Sequence, residues 1–264
     1  NGFPVTETIA YYLEKSAGRY IEYPNFSELW LKDGKTPAKG EIFKNPQLAK
    51  TLQAIAEKGR AGFYEGEIAH TMADFIQSEG GFLSYKDLSS FHSEWTPPVS
   101  TNYRGYDVWE LPPSGQGIAA LQILNILEDF DIKKMGLYSS EYIHLFTEAK
   151  KLAFADRAKY YADPSFSDIP VQELISKDYA KQRAKNINFS KAAMTDEPGI
   201  LKNGDTIYLT AADQYGNMIS LIQSNYRGMG SGMMPPGLGF MLQDRGELFS
   251  LDPSHKNALV GGKR

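Results

Sequence analysis

The sequence contains no cysteine, and this absence excludes several kinds of site at once. Disulfide scaffolds, thiolate zinc sites and cysteine nucleophiles all require that residue. Only four histidines are present and none has the HExxH spacing of a zinc-binding helix, so we expect no metal site. No apolar run reaches the roughly 18 residues that a membrane-spanning helix needs, so we expect no membrane span.

An excess of positive charge is also lacking. The 264 residues include 28 basic and 32 acidic side chains, which give a formal net charge of −4. A dedicated nucleic-acid-binding protein would carry a basic surface, so we expect no nucleic-acid partner. The composition is that of a globular protein, 42% hydrophobic and 23% charged. The chain is long enough to bury a core in one large domain or two small ones.

Both ends of the sequence resemble the interior of a longer protein. The chain begins with Asn1 instead of methionine, and residues 260–264 contain no closing element. We therefore expect a fragment whose true N-terminus lies elsewhere, and the absence of a leader peptide does not fix the compartment. A cytoplasmic location is favoured, with secretion left open.

Residues 1–205 have a mainly helical pattern. Asn45-Pro46 is typical of a helix start, and Gly59 and Gly62 are expected to end that helix. Further helices are predicted over about 65–77, 84–91, 139–161 and 176–186, with the stripe Tyr142, Phe146, Ala149 and Ala153 buried in the longest. A hairpin is predicted from strands 99–103 and 106–111.

The pattern changes from helical to β at Thr206. Residues 188–205 are polar and glycine-containing, which indicates a surface loop. Alternation then predicts strands over 206–212 and 218–224, joined by a turn at 213–217. If Ala212 pairs with Met218, Thr206 lies opposite Ser224, with Cβ atoms roughly 4.5–5.5 Å apart.

A threonine and a serine opposite each other are ordinary sheet partners, so this pair alone does not indicate catalysis. A threonine becomes a nucleophile when it is also a chain N-terminus, because its α-amine, with a pKa near 8, can accept the hydroxyl proton. That chemistry requires cleavage of the Asp205–Thr206 bond.

Three other segments are weaker candidates. The glycine-rich run 227–232 could approach a ligand closely, although its spacing does not match a dinucleotide site. The run 243–246, which contains Asp244 and Arg245, is either a turn or a binding segment. Asp156 and Arg157 could form an active-site pair, but a structural ion pair is the better explanation.

Several motifs together resemble the γ-glutamyltranspeptidase family of N-terminal-nucleophile hydrolases along nearly the whole chain. They are Gly62-Phe63-Tyr64-Glu65-Gly66, Tyr103-Arg104-Gly105-Tyr106 with Pro112-Pro113-Ser114-Gly115, Ala153-Phe154-Ala155-Asp156-Arg157 with Asp163-Pro164, and Gly204-Asp205-Thr206 with Asp213 and Gly216-Asn217. No single motif is specific, but the set is. The resemblance implies an α+β fold, part of a four-layer αββα sandwich.

The resemblance also implies roles for particular residues. The precursor would cut itself between Asp205 and Thr206, so that residues 1–205 belong to a large subunit and residues 206–264 begin a small one. Thr206 would be the nucleophile, Ser224 would support it, and Asn225 or Tyr226 would contact substrate. The implied mechanism requires no metal or organic cofactor. The family's carboxylate-binding arginine and its oxyanion hole are expected outside residues 1–264.

The segment 243–246 departs from the family pattern in a way that affects donor choice. Arg245 and Leu248 stand where the family has a glutamine and an aspartate that bind the donor's α-amine, and Asp244 adjoins them as a further substrate-binding candidate. An arginine cannot accept a hydrogen bond from an ammonium group. The segment is similar to that of the cephalosporin-acylase-like branch.

The expected function is therefore acyl transfer from a small γ-glutamyl amide, resembling glutathione, to water or an amine. Two alternatives stay open. One is a glutaryl-type amide acylase with little transpeptidation. The other is a non-catalytic member that stays uncleaved and serves in binding or structure.

Overall fold

A computed structural model describes residues 1–194 and 205–263, and for Asp205 and Thr206 it describes the backbone alone. In chain order the elements are β1 (Phe3–Pro4), α1 (Glu7–Tyr20), α2 (Phe26–Trp30), β2 (Ile42–Phe43), α3 (Pro46–Tyr64), α4 (Glu67–Ser78), α5 (Tyr85–Ser90), β3 (Val99–Tyr103), β4 (Tyr106–Glu110), α6 (Gly117–Leu127), α7 (Ile132–Met135), α8 (Ser140–Tyr160), α9 (Val171–Leu174), α10 (Lys177–Ala184), β5 (Asp205–Ala212) and β6 (Met218–Tyr226). A 3₁₀ turn covers Arg245–Leu248. The strands pair antiparallel as β1–β2, β3–β4 and β5–β6.

The described residues form two compact units. The first consists of residues 1–93 and 205–247, and the second of residues 94–194 and 248–263. Each unit contains chain from both sides of the predicted cleavage bond. The division into residues 1–205 and 206–264 concerns processing rather than packing, and it stays a prediction.

Helix α3 begins where the sequence predicts. Asn45 accepts the Leu48 N–H at 2.8 Å, and Pro46 occupies the first turn. Gly59 interrupts the helix with φ +58°, but helical residues resume and continue to Tyr64. The predicted end is therefore too early, because a single glycine kinks a helix without preventing the next turn from forming.

The core of the first unit joins its helices to the segment that follows β6. Helix α4 buries Ile68, Ala69, Met72 and Ala73, and Leu238 packs into the same cluster. A second cluster contains Tyr20 of α1, Phe26 of α2, and Met234 and Met241 of the later segment. Polar side chains also hold this segment's carbonyl groups: Asn25 binds Met234 at 2.7 Å, Thr51 binds Leu238 at 2.9 Å and Asn45 binds Gly239 at 2.7 Å.

The core of the second unit lies among α6, α8 and α10. Leu145 and Ala149 of α8 pack with Ile126 of α6 and Ala180 of α10. The predicted stripe on α8 is partly wrong, because Phe146 is 41% exposed. The neighbouring helices approach the side of α8 that carries Leu145, which leaves the aromatic positions at the edge of the buried face.

A buried carboxylate links α8 to α10. Asp156 lies 3.1 Å from Arg183 and accepts hydrogen bonds from Tyr179 at 3.0 Å and Gln122 at 2.9 Å. The cation that pairs with Asp156 is therefore Arg183. Arg157, the neighbour in sequence, lies over the ring of Phe154. Desolvation outweighs these partners and raises the pKa of Asp156, while burial and the neighbouring carboxylate raise the pKa of Tyr179 to about 12.

The predicted strands of the β3–β4 hairpin are confirmed, with Thr101 paired to Val108, although β4 ends one residue early at Glu110. The predicted loop over 188–205 is described only at 188–194, where it is neither helix nor strand, and at Asp205, which begins β5.

Candidate active site

The β5–β6 hairpin turns at a hydrogen-bonded aspartate. The Asp213 carboxylate accepts the backbone N–H groups of Tyr215 at 2.9 Å and Asn217 at 3.0 Å, and the Asn217 amide at 2.7 Å. These bonds lower the pKa of Asp213, and the bond from the Asn217 side chain contributes most. Gly216 has φ +83°, which a glycine adopts without strain. The predicted turn at 213–217 is confirmed.

The strand register agrees with the sequence prediction along most of the hairpin and departs from it at Thr206. Ala212 pairs with Met218, and the ladder continues regularly to Ile207 and its partner Gln223. The register then shifts, so that Asp205 pairs with Tyr226. Two residues, Ser224 and Asn225, therefore lie opposite Thr206. The predicted one-to-one pair is wrong, because an extra residue in one strand forms a bulge that turn geometry does not reveal.

For the predicted nucleophile Thr206 and the predicted cleavage bond, the structure describes the backbone but not the side chains. Thr206 is the second residue of β5, and the side chains of Asp205 and Thr206 lie outside the described residues. Their chemical roles stay predictions. The backbone brings Ser224, Asn225 and Tyr226 to the end of the hairpin where β5 begins, so three of the predicted site residues share one end of the ladder with Thr206.

The bulge forces Tyr226 into an unusual conformation. Its φ is +79°, and its N–H donates to the Ser224 hydroxyl oxygen at 2.8 Å. A non-glycine residue in this region costs on the order of 1–3 kcal/mol, and such strain is concentrated at functional sites. Asn225 is exposed, and its carbonyl accepts the Asp244 N–H at 3.2 Å. The end of β6 is thereby joined to the segment that carries Asp244 and Arg245.

Arg227 forms ion pairs with both acidic side chains of residues 244–247. Its Nε donates to Asp244 at 2.8 Å, and its Nη2 pairs with Glu247. The Asp244 carboxylate also accepts the Arg227 N–H at 3.2 Å. The hydrogen bond with Asp244 is the largest cause of the raised pKa of Arg227. Asp244 thus fixes the loop after β6, and its direct contact with substrate stays a prediction.

Arg245 has different surroundings. Its guanidinium lies 5.1 Å from the centroid of the Tyr226 ring, and the side chain is exposed. Within the described parts of the chain it forms no ion pair, since Arg227 takes both Asp244 and Glu247. Arg245 therefore lies beside Tyr226, the residue that pairs with Asp205, and has no ion-pair partner among the described residues. Leu248 is 38% exposed.

The glycine-rich run 227–232 is used for close packing within the protein. Gly230 has φ +65°, and a Cβ there would lie 2.4 Å from the Leu242 carbonyl oxygen. Gly232 has φ +77°, and a Cβ there would lie 2.3 Å from the Tyr20 ring. The Tyr20 hydroxyl donates to the Gly230 carbonyl at 3.3 Å. These glycines let the backbone pass against α1 and the 242–244 segment.

Sequence reasoning missed two residues that build this region, Arg227 and Tyr20. The sequence signal for Arg227 is that two acidic residues, Asp244 and Glu247, follow it within twenty positions. For Tyr20 no local signal exists, because its contact joins residues 210 positions apart.

Residues 1–194 and 205–263 contain neither a metal-binding cluster nor a membrane-spanning helix. No cluster of three or more histidine, aspartate or glutamate side chains there could hold a metal ion. No helix there is both long enough and apolar enough to cross a membrane.

Comparisons with known proteins agree on one family. A family model described as Gamma-glutamyltranspeptidase matches residues 1–264. The glutathione hydrolase-like YwrD proenzyme of Bacillus subtilis (strain 168) is 39% identical over 264 residues, which are 100% of this chain and 50% of that protein. The glutathione hydrolase proenzyme of Escherichia coli (strain K12) is 35% identical over 99% of this chain and 47% of its own length. The chain spans about half the length of the curated relatives it matches.

A solved structure supports the same relationship. The crystal structure of cephalosporin acylase from Bacillus halodurans matches with a TM-score of 0.89 and 42% identity, over 100% of this chain and 49% of that one. The expected α+β fold of N-terminal-nucleophile hydrolases is confirmed by this similarity. Because the family model covers every residue from 1 to 264, the chain belongs to the gamma-glutamyltranspeptidase family.

Proposed function

We propose that this chain is part of an autoprocessing enzyme in which Thr206 transfers acyl groups from γ-glutamyl or related acyl amides to water or an amine. The observation that carries the proposal is the position of Thr206 at the irregular start of β5, opposite Ser224 and Asn225. The word proenzyme in the names of two relatives supports a precursor that is processed into subunits.

Processing would create the catalytic group. The Thr206 hydroxyl oxygen attacks the carbonyl carbon of Asp205, and the peptide nitrogen leaves as the α-amine of Thr206. Water then hydrolyses the resulting ester, which leaves Asp205 as the carboxyl terminus of a large subunit. The step consumes one water molecule, and its products are a large subunit that ends at Asp205 and a small subunit that begins at Thr206.

The new α-amine would then act as the base in turnover. It accepts the hydroxyl proton as the Thr206 oxygen attacks the donor's amide carbonyl, and the donor's amine departs with that proton. The acyl group is held as an ester until water or an acceptor amine attacks. In this scheme Ser224 positions the nucleophile and does not itself attack.

The surroundings of Arg245 favour a second candidate, an acylase for donors that lack an α-amine. A guanidinium without an ion-pair partner among the described residues repels a donor ammonium group, whereas a glutaryl group carries none. The names of similar proteins include both glutathione hydrolase and cephalosporin acylase. Both candidates share the same nucleophile and differ only in the acyl donor.

The test is intact-mass analysis of the full-length protein after incubation with γ-glutamyl and glutaryl anilides. We expect two polypeptides and an acyl adduct on the smaller one, whose mass identifies the acyl group. Thr206→Ala should leave one polypeptide without an adduct, while Thr210→Ala on the same strand should behave as wild type. A single uncut chain without an adduct in the wild type would instead support the non-catalytic alternative.

A further inference from the structure

A buried ion pair on α8 holds the main chain of a solvent-exposed segment. Glu148 is 3% exposed, and its carboxylate accepts Lys151 Nζ at 2.5 Å and the Ala193 N–H at 3.2 Å. Lys151 Nζ also donates to the Ala193 carbonyl at 2.9 Å. Both backbone polar groups of Ala193 are thus held by α8. One turn earlier, His144 lies 2.9 Å from the Asn188 carbonyl.

This contact is not explained by packing of the segment itself. The side chains of residues 191–194 are all exposed, so their packing does not explain the hold on Ala193; the nearest packed ring of the segment is that of Phe189, 5.7 Å from the Phe130 ring. Burying a carboxylate is costly unless charged partners and hydrogen bonds compensate. Burial is the largest influence on Glu148 and acts to raise its pKa, but the bonds from Lys151 and Ala193 outweigh it and the pKa is lowered. The ionised form is the one that holds Ala193.

Ala193 lies a short distance upstream of the predicted cleavage bond. Ala193 belongs to the second unit, Asp205 belongs to the first, and Asp205 lies twelve positions after Ala193. We propose that Glu148 and Lys151 are positioning residues for precursor maturation, which anchor the chain upstream of the Asp205–Thr206 bond. This inference rests on the proposed function, because it assumes cleavage at that bond.

The size of the effect follows from chain entropy. Without the hold on Ala193, the nearest upstream fixed point that remains is Asn188 with its His144 contact, seventeen positions before Asp205. Loop-closure probability falls with about the 3/2 power of length, so releasing the anchor should slow maturation by about twofold. Chemistry after cleavage should be unaffected, because the bond is already cut.

Limited trypsin digestion of the full-length protein tests the anchor directly. Lys191 lies in the held segment, between the Asn188 and Ala193 contacts. We expect cleavage after Lys191 to accelerate about tenfold in Glu148→Gln and Lys151→Met, since each loses a charge-assisted hydrogen bond. Lys151→Arg should retain protection. The controls are Glu141→Gln and Lys150→Met, which remove like charges from exposed positions on the same helix.

The second measurement is the maturation rate of the same variants, read from the ratio of cut to uncut chains over time. We expect the two anchor variants to mature about twofold more slowly, with kcat/KM of the matured enzyme unchanged. Unaltered protection of Lys191, or an unaltered maturation rate despite lost protection, would overturn the inference. If the wild type itself is never cut at Asp205–Thr206, the proposed function fails, whereas the digestion result still reports on the anchor.

Discussion

Asp205 pairs with Tyr226 across the β5–β6 hairpin, and Tyr226 holds a left-handed backbone with φ +79°. The strain is maintained by local contacts. Ser224 accepts the Tyr226 N–H at 2.8 Å, and the guanidinium groups of Arg227 and Arg245 lie over the tyrosine ring. The one irregular step of this ladder therefore coincides with the predicted cleavage bond, while the rest of the hairpin is regular.

The first prediction concerns Ser224. Ser224→Ala removes the hydroxyl that accepts the Tyr226 N–H and that is predicted to support Thr206. We expect maturation or acylation to slow by roughly ten- to a thousandfold, the effect of one or a few positioned hydrogen bonds. Ser224→Thr should retain most activity. The control is Ser220→Ala, which removes another β6 hydroxyl, the one that contacts Tyr208 at 2.8 Å. Equal rates in both alanine variants would contradict the assignment.

The second prediction concerns donor choice. In the wild type we expect a higher kcat/KM for glutaryl than for γ-glutamyl anilide, because Arg245 has no ion-pair partner among the described residues and its guanidinium repels a donor ammonium group. The double variant Arg245→Gln, Leu248→Asp should shift this ratio toward the γ-glutamyl donor. Arg19→Gln is a matched control, since Arg19 lies over Tyr20 in a similar cation–π contact. A wild type that prefers the γ-glutamyl donor, with no further shift in the double variant, would rule the idea out.

The third prediction is a pH dependence of stability at Asp156. Desolvation raises the pKa of this carboxyl, so the folded protein binds its proton more tightly than the unfolded chain does. Its contribution to stability is therefore largest below the ordinary aspartate pKa of about 3.9 and is lost as pH rises through the raised value. We expect the urea midpoint of the wild type, relative to Asp156→Asn, to fall from about pH 4 upward. Asp178→Asn, at an exposed position on α10, is the control for a general effect of removing a carboxylate, and a flat difference for Asp156→Asn would refute the argument.

The fourth prediction concerns the glycine-rich run. Gly230→Ala places a Cβ 2.4 Å from the Leu242 carbonyl oxygen at a residue with φ +65°. We expect the free energy of unfolding to fall by roughly 2–4 kcal/mol, from backbone strain and overpacking together. Gly246→Ala, where a Cβ would meet no atom within 4 Å, should be close to neutral. Comparable thermal midpoints for the two variants would show that the loop relaxes freely.

Local features of the fold were predictable because their causes are local. The Asn45–Pro46 helix start depends on residues within one turn. The β5–β6 register from Ala212 to Ile207 follows from a short turn and a two-residue alternation. The motif pattern across the chain was sufficient to predict the family, which the whole-chain match confirms.

The remaining features were decided by tertiary structure, because they join residues far apart in sequence. Arg183 pairs with Asp156 across two helices, so adjacency along the chain pointed wrongly to Arg157. Arg227 takes both Asp244 and Glu247, and this leaves Arg245 with the Tyr226 ring. The bulge opposite Thr206 arises where β6 must continue into a segment anchored on α1 to α3. Sequence alone determined which residues meet within a turn or along the regular part of a hairpin, whereas packing between distant elements determined which charges are paired and where the backbone is strained.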